Sequence, residues 1–465
     1  MTPHRVAVIG AGPAGFYTAE HLLKEGFEVD LLDVLPTPFG LVRAGVAPDH
    51  PKIKSVTRVY EKTAAKPGFR FFGGVELGAD VARDELLERY HAVIYAVGTS
   101  DGNRLGVPGE ERPGSHAATE FVAWYNGHPE YADHEFDLSA KTAVVIGNGN
   151  VALDVARMLV LDPDELGITD TADHAMEALQ RAQVERVIVL GRRGPAQAAF
   201  TNPEVRELGE LQRADIIVDP AEIELDEHSA TWLEAAGDPT SKRNVEMMRE
   251  YSRREPAGKS HRLELRFLRS PLEVLGDDEG GAVRGLRVAL NKIEPDASGN
   301  LRAVPTGEEE VIECGLVLRS IGYRGRPLPG VPFDERRGLI RNEGGRVCDD
   351  DGEPLRGEYA VGWIKRGPSG VIGTNKKDAA DTVARVLEDT EAGRLNEPSD
   401  PDADGIEAWL RERAPGLVTW EGWQAIDRHE TGLGDPLGRP RVKLVRVPEM
   451  IAVAETQVPA GASGD

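Results

Sequence analysis

Cysteine is nearly missing. The 465-residue chain has two, Cys314 and Cys348, far apart and outside any CxxC pair. Two such thiols exclude a local dithiol redox couple, as disulfide reductases need, and are too few for a four-cysteine iron–sulfur cluster. Positive charge is also short: 55 Lys and Arg stand against 79 Asp and Glu, for a net charge of −24. That balance argues against general nucleic-acid or anionic-membrane binding. No apolar run approaches the ~20 residues of a membrane span. The first ten residues read as part of a buried strand, which leaves no room for a signal or transit peptide. These absences suit a bacterial-type cytoplasm. The length predicts two or three domains with ample core.

Glycine is plentiful, and its placement carries the chemistry. Arg5–Ile9 is a short apolar run, the pattern of a buried parallel strand, and it leads directly into Gly10-Ala11-Gly12-Pro13-Ala14-Gly15. Phe16, Ala19, Leu22 and Leu23 then follow with helical spacing. Gly10 permits the tight turn, Gly12 lets backbone approach a pyrophosphate, and Gly15 lets the helix lie close to the strand. The exposed N–H groups of the helix start suit phosphate charge. A second strand, residues 28–33, ends in Asp33, 18 residues after Gly15. A carboxylate there accepts ribose hydroxyls and repels a 2′-phosphate. A ligand-free strand–helix turn is the plainer alternative, against which the full strand, helix, strand and terminal acid speak together.

The grammar repeats with a different ending. Residues 141–146 form a strand, Gly147-Asn148-Gly149-Asn150-Val151-Ala152 the loop, and the next strand, 186–190, ends in Gly191-Arg192-Arg193 with no acid. Planar guanidiniums at the ribose position suit a 2′-phosphate, favouring NADP over NAD, although a solvated basic turn would look the same. The spacing from loop to arginines exceeds the usual ~20 residues, so 161–182 should form an extra helical excursion. A chain holding two different dinucleotides is built to move a hydride between them.

The units read as nested. Strands at 70–77 and 91–98 complete the first, a Pro/Gly linker spans 99–113, and the second runs through a charged excursion at 219–255 and strands near 263–267 and 283–288. A strand at 314–322 closes it. Residues 358–363 and the glycine-rich 367–375, followed by a helix at 377–387, read as the chain returning to the first nucleotide. There a helix N-terminus would stabilise negative charge on a reduced flavin. An ordinary strand–helix turn remains the alternative. Residues 399–465 show no assignable chemistry, and 458–465 look disordered. The fold class is thus α/β, with two nested Rossmann-like dinucleotide-binding domains, an arrangement that resembles the glutathione-reductase-like flavoprotein scaffold.

Four segments are far more specific than a glycine loop: 35–51 (LPTPFGLVRAGVAPDHP), 146–157 (IGNGNVALDVAR), 191–195 (GRRGP) and 362–375 (GWIKRGPSGVIGTN). With them the chain resembles the adrenodoxin-reductase type of ferredoxin–NADP reductase, its actinobacterial members above all. The similarity runs from residue 3 to about 390 and, more loosely, to 438–444. The resemblance implies FAD bound by residues 1–104 and 325–465, and NADP(H) by an inserted domain, 105–324. By resemblance the FAD contacts fall on Ala14, Asp33, Leu41, Leu77, Trp363, Gly370, Val371 and Ile372. Those of NADP fall on Asn148, Gly149, Asn150, Val151, Arg192, Arg193, Glu204 and Gly370. Asp33 stands where glutamate is common. An arginine expected after Gly98 has moved to Arg104, a candidate cofactor contact.

The activity implied is hydride transfer from NADPH to FAD, then release of single electrons to a ferredoxin. His50 and a glutamate, Glu204 or Glu207, are the candidates by resemblance for settling the flavin proton, with His50 equally readable as a turn residue before Pro51. Lys242, Arg243, Arg249, Arg253, Arg254, Lys259 and Arg262 cluster in an otherwise acidic chain, and would steer an acidic ferredoxin unless Glu246, Glu250 and Glu255 make this a merely solvated face. A monomer is expected. Two alternatives stay open: an NADPH diaphorase or quinone reductase on the same scaffold, and a non-enzymatic nucleotide sensor.

Overall fold

The computed structural model describes residues 3–235, 238–277 and 280–456; the tail at 458–465 lies outside them. The chain forms two compact units. The first is Met1–Asp101, Asn126–Pro129 and Tyr323–Asp465, the second Gly102–Tyr125 and Glu130–Gly322.

The first unit is built on an eight-stranded sheet. Its central strand, Arg5–Ile9, is fully buried, as a run of Val, Ala and Ile covered on both faces must be. It pairs in parallel with Glu28–Asp33 on one side and Ala92–Tyr95 on the other. Strand order therefore reverses at Arg5–Ile9, and a crevice for a ligand opens at the carboxyl end of such a switch point. Phe69–Gly73 lies parallel beyond Glu28–Asp33. Pro354–Ala360 joins parallel to Ala92–Tyr95, which brings the late glycine-rich segment back to the first loop. The helix that follows is Thr374–Glu391, longer at both ends than its sequence suggests. Residues 399–456 give three helices, Ala403–Arg413, Trp420–Gly434 and Val447–Glu455. Trp420 and Trp423 set ring edges against Phe39, at 6.3 and 5.5 Å between centroids.

The second unit repeats the plan with six parallel strands. Thr142–Ile146 lies between Arg186–Leu190 and Leu316–Arg319, again a switch point. The excursion implied by the long spacing consists of the helices Pro163–Gly167 and Asp173–Gln180. A three-stranded antiparallel sheet, Arg269–Gly276, Val283–Pro295 and Leu301–Glu313, is added to it.

Candidate functional site

In the first loop the glycines divide into two kinds. Gly10 has φ +111°, and a Cβ on it would stand 2.6 Å from the Ala96 carbonyl oxygen. A Cβ on Gly15 would reach within 2.0 Å of the Gly10 oxygen. Both are glycine because the fold leaves no room. Gly12 differs: its Cβ would meet only the Gly40 Cα, at 3.9 Å. That open space in front of the N-terminus of helix Pro13–Lys24 is where a pyrophosphate fits.

The acid at the end of the second strand closes this loop. Asp33 Oδ2 accepts the Ala11 N–H at 2.7 Å, and Oδ1 accepts the Leu35 N–H at 2.9 Å. A carboxylate has about four lone-pair sites, so these two bonds leave room for ribose hydroxyls. Burial pushes the Asp33 carboxyl up to about 6, against the two amide bonds that pull it down.

The 35–51 segment folds over the same loop. Phe39 N–H donates to the Ala11 carbonyl at 2.8 Å, and Phe39 itself adopts φ +85°. Leu41 opens the short helix Leu41–Ala44 and stays exposed. His50 is buried at the N-cap of helix Pro51–Lys54, and its carbonyl accepts from Ile53 at 3.1 Å. Leu77 is buried in the core, so only its backbone can serve a ligand.

The returning segment meets the loop directly. A Cβ on Gly362, φ +77°, would stand 2.7 Å from the Ala14 Cβ. Trp363 is half-buried, donating from Nε1 to the Ser369 carbonyl at 3.2 Å. Asp378 fixes this corner: it accepts the Gly362 N–H at 2.6 Å and the Lys365 ammonium at 2.9 Å. Gly370 and Val371 are exposed and Ile372 half-buried, just ahead of helix Thr374–Glu391.

The second loop has the same division. A Cβ on Gly147, φ +135°, would be 2.0 Å from the Ser320 oxygen, whereas Gly149 has nothing within 4 Å. Ala152, in the third position, is fully buried and tolerated. Asn150 Oδ1 accepts the Thr201 N–H at 2.8 Å. Asn148 Nδ2 lies beside Gly191, buried and without a hydrogen-bond partner among the described residues. A buried donor of that kind calls for an acceptor.

At the strand end, backbone bonds hold the arginine turn: Asn291 Nδ2 to the Arg192 carbonyl at 2.9 Å, and Leu268 N–H to that of Arg193 at 3.2 Å. Both guanidiniums reach solvent, and neither makes an ion pair among the described residues. Desolvation by its surroundings, then the neighbouring Arg192 charge, lowers the pKa of Arg193. An anion would relieve that repulsion. Glu204 and Glu207 sit on helix Asn202–Leu208, each with a carboxylate oxygen 3.4 Å from buried Arg157, which also holds Asp154 at 2.9 Å. Val151 is half-buried against the core. Arg104 is exposed in the second unit and turned to Glu110, at 3.2 Å, and Glu111.

Sequence reasoning missed what holds the first cradle from behind. Glu430, fully buried on helix Trp420–Gly434, accepts from Arg43 at 2.8 Å, Arg441 at 3.0 Å and the Leu444 amide at 2.8 Å. Burial alone would raise its carboxyl, but Arg43 and then Arg441 hold it below the ordinary value. The one available signal was the conjunction of 438–444 with the tryptophans at 420 and 423.

Two switch-point cradles, one ending in a carboxylate and one in free guanidiniums, define a flavoprotein scaffold of the pyridine-nucleotide oxidoreductase class. Residues 4–188 match the family model described as pyridine nucleotide-disulphide oxidoreductase. NADPH-ferredoxin reductase FprA of Mycobacterium leprae is 49% identical over 460 residues, covering 97% of this chain and 98% of that protein. Mitochondrial NADPH:adrenodoxin oxidoreductase of Bos taurus is 42% identical, covering 97% of this chain and 92% of its own length. The structure of Mycobacterium tuberculosis FprA in complex with NADPH superposes with a TM-score of 0.91 at 48% identity, covering 97% of this chain and 100% of that one. The chain belongs to the adrenodoxin-reductase-type ferredoxin–NADP reductase family.

Proposed function

We propose that this chain is an FAD-dependent NADPH–ferredoxin oxidoreductase. One observation carries the reading: two loops with the same backbone logic end in opposite charges, Asp33 in one and unpaired Arg192 and Arg193 in the other. The likeness to FprA, whose structure holds NADPH, supports it. FAD is assigned to the first unit and NADP(H) to the second.

When bound, FAD supplies the redox chemistry, accepting a hydride and giving electrons up singly. The residues do the rest. Gly10, Gly12, Ala14 and Gly15 shape the first phosphate cradle, and Asp33 accepts ribose hydroxyls. Leu41, Leu77 and Trp363 line the flavin, while Gly370, Val371 and Ile372 present the N-terminus of helix Thr374–Glu391, whose partial positive charge favours an added electron pair. Asn148, Gly149, Asn150 and Val151 cradle the second pyrophosphate, Glu204 contacts NADP, and Arg192 and Arg193 bind the 2′-phosphate. His50 and Glu207 hold or move the proton that accompanies hydride transfer.

An acidic ferredoxin docks on the exposed basic residues Lys242, Arg243, Arg249, Arg253 and Arg254. The protein works as a cytoplasmic monomer, its two cysteines kept as buried free thiols.

Anaerobic titration of the purified chain with NADPH tests this reading. A yellow protein that NADPH bleaches, and that then reduces cytochrome c only with ferredoxin present, supports it. A yellow protein that NADPH leaves unbleached favours a nucleotide sensor, and bleaching with no transfer to ferredoxin favours a diaphorase.

A further inference from the structure

Beyond the His50 turn, residues 50–66 hold five basic side chains, Lys52, Lys54, Arg58, Lys62 and Lys66, against one acid, Glu61, in a chain of net charge −24. Two are committed: Lys54 Nζ donates to Asn126 Oδ1 at 3.3 Å, and Lys66 stands 3.9 Å from Glu20. Lys52, Arg58 and Lys62 are exposed and make no ion pair among the described residues.

Arg58 and Lys62 are four apart on helix Thr57–Ala64 and so share a face, at a cost of about 0.2–0.5 kcal/mol for a like-charge pair. In sequence, Ile53, 41% exposed, and Val59, 42% exposed, are interleaved with these cations. On its other side the helix buries Tyr60, Thr63 and Ala64, and the Tyr60 ring stacks on Phe16 of helix Pro13–Lys24 at 4.9 Å. The patch is therefore anchored to the helix that opens the first cradle. Uncompensated cations around exposed aliphatic carbon resemble an interface, with its apolar centre and polar rim.

We propose that Lys52, Arg58 and Lys62, with Ile53 and Val59, form a docking surface on the first unit for an acidic iron–sulfur electron carrier. This rests on the ferredoxin-reductase reading and adds to the basic helix Pro239–Ser252. A chain this acidic repels an acidic partner except where local charge is reversed, so uncompensated cations decide where it lands. On helix Pro239–Ser252 the charge is partly cancelled, since Arg243 lies 2.9 Å from Glu246 and 3.8 Å from Glu250. At 52–62 it is not.

The test compares wild type with K52E/R58E/K62E and the neutral K52Q/R58Q/K62Q, all as flavin-loaded protein, using an acidic [2Fe–2S] ferredoxin. The charge-reversed protein should show KM for ferredoxin raised about tenfold, with a shallower salt dependence. The neutral protein should fall between it and wild type, and NADPH–ferricyanide reduction should be unchanged in both. Unchanged KM and salt dependence, with wild type reducing ferredoxin normally, overturn the docking surface alone. Wild type that reduces ferricyanide but no ferredoxin overturns the functional reading and the surface with it. Wild type that binds phosphatidylglycerol vesicles through these residues, with ferredoxin kinetics unaffected by the substitutions, assigns the patch to a membrane and overturns the proposal.

Discussion

Asp33 ties the second strand to the first glycine loop: its Oδ2 accepts the Ala11 N–H at 2.7 Å while Oδ1 accepts the Leu35 N–H at 2.9 Å. One side chain thus shapes the loop and marks the ribose position, so its protonation should affect both fold and cofactor. Its pKa is pushed up to about 6 from an ordinary 3.8, first by burial. Between those values the folded protein holds more protons than the unfolded one, so this group's contribution to apoprotein stability falls as pH rises from about 4 to 6. The ionised form is the better acceptor for ribose hydroxyls. FAD retention should therefore weaken as pH falls through about 6, and Asp33→Asn should flatten that dependence. Retention independent of pH in wild type would contradict this role.

The two kinds of glycine should respond differently. Gly10→Ala places a methyl 2.6 Å from a carbonyl oxygen at φ +111°, so the apoprotein itself should lose stability. Gly12→Ala meets nothing closer than 3.9 Å, so its apoprotein should melt like wild type while FAD affinity drops. Melting curves with and without FAD separate the two, and equal losses in both apoproteins would count against a ligand in front of Gly12.

Removing the Glu430 charge takes from Arg43 its buried carboxylate and leaves Arg441 with Asp427 alone among the described residues, at 2.8 Å. Glu430→Gln should cost about 3–5 kcal/mol, the range for breaking a buried ion pair, and should loosen FAD because Arg43 belongs to the helix after Gly40. The Glu430 pKa is lowered, so its stabilisation is complete above the ordinary carboxylate range and is lost only as pH falls below it. Denaturant unfolding at neutral pH reads the loss, and a loss below 1 kcal/mol would contradict it.

His50 bears on the proton. If it takes part, His50→Gln should shift the pH profile of NADPH–ferricyanide reduction while leaving FAD content intact. A profile superposable on wild type would leave His50 as the capping residue its backbone already makes it.

Much of the fold was legible because its decisive parts are local. Arg5–Ile9 and Thr142–Ile146 are uninterrupted apolar runs ending in glycine, and the over-long spacing to Arg192 announced the helices at 163–180. The parts that were not legible depend on distant partners. Glu430 meets Arg43 across 387 positions, and no local pattern marks a buried charge before its partner is known. Strand Leu301–Glu313 is mostly exposed and glutamate-rich, so it lacks the alternation that betrays a half-buried strand. Asn148 is legible from its place in the loop, whereas the burial of its Nδ2 depends on Gly191, at the end of the next strand, lying beside it. The cations at 52–62 are interleaved with Ile53, Val59 and Tyr60, so they form no dense basic run like that at 242–262.

The most direct test of the account is coenzyme selectivity in Arg192→Ala/Arg193→Ala. Hydrogen bonds to charged groups contribute about 1.5–3 kcal/mol each. The double variant should lose at least about tenfold in kcat/KM for NADPH, with NADH little changed, so the preference between them narrows. An unaltered NADPH-to-NADH ratio would contradict the assignment of the 2′-phosphate to these two guanidiniums.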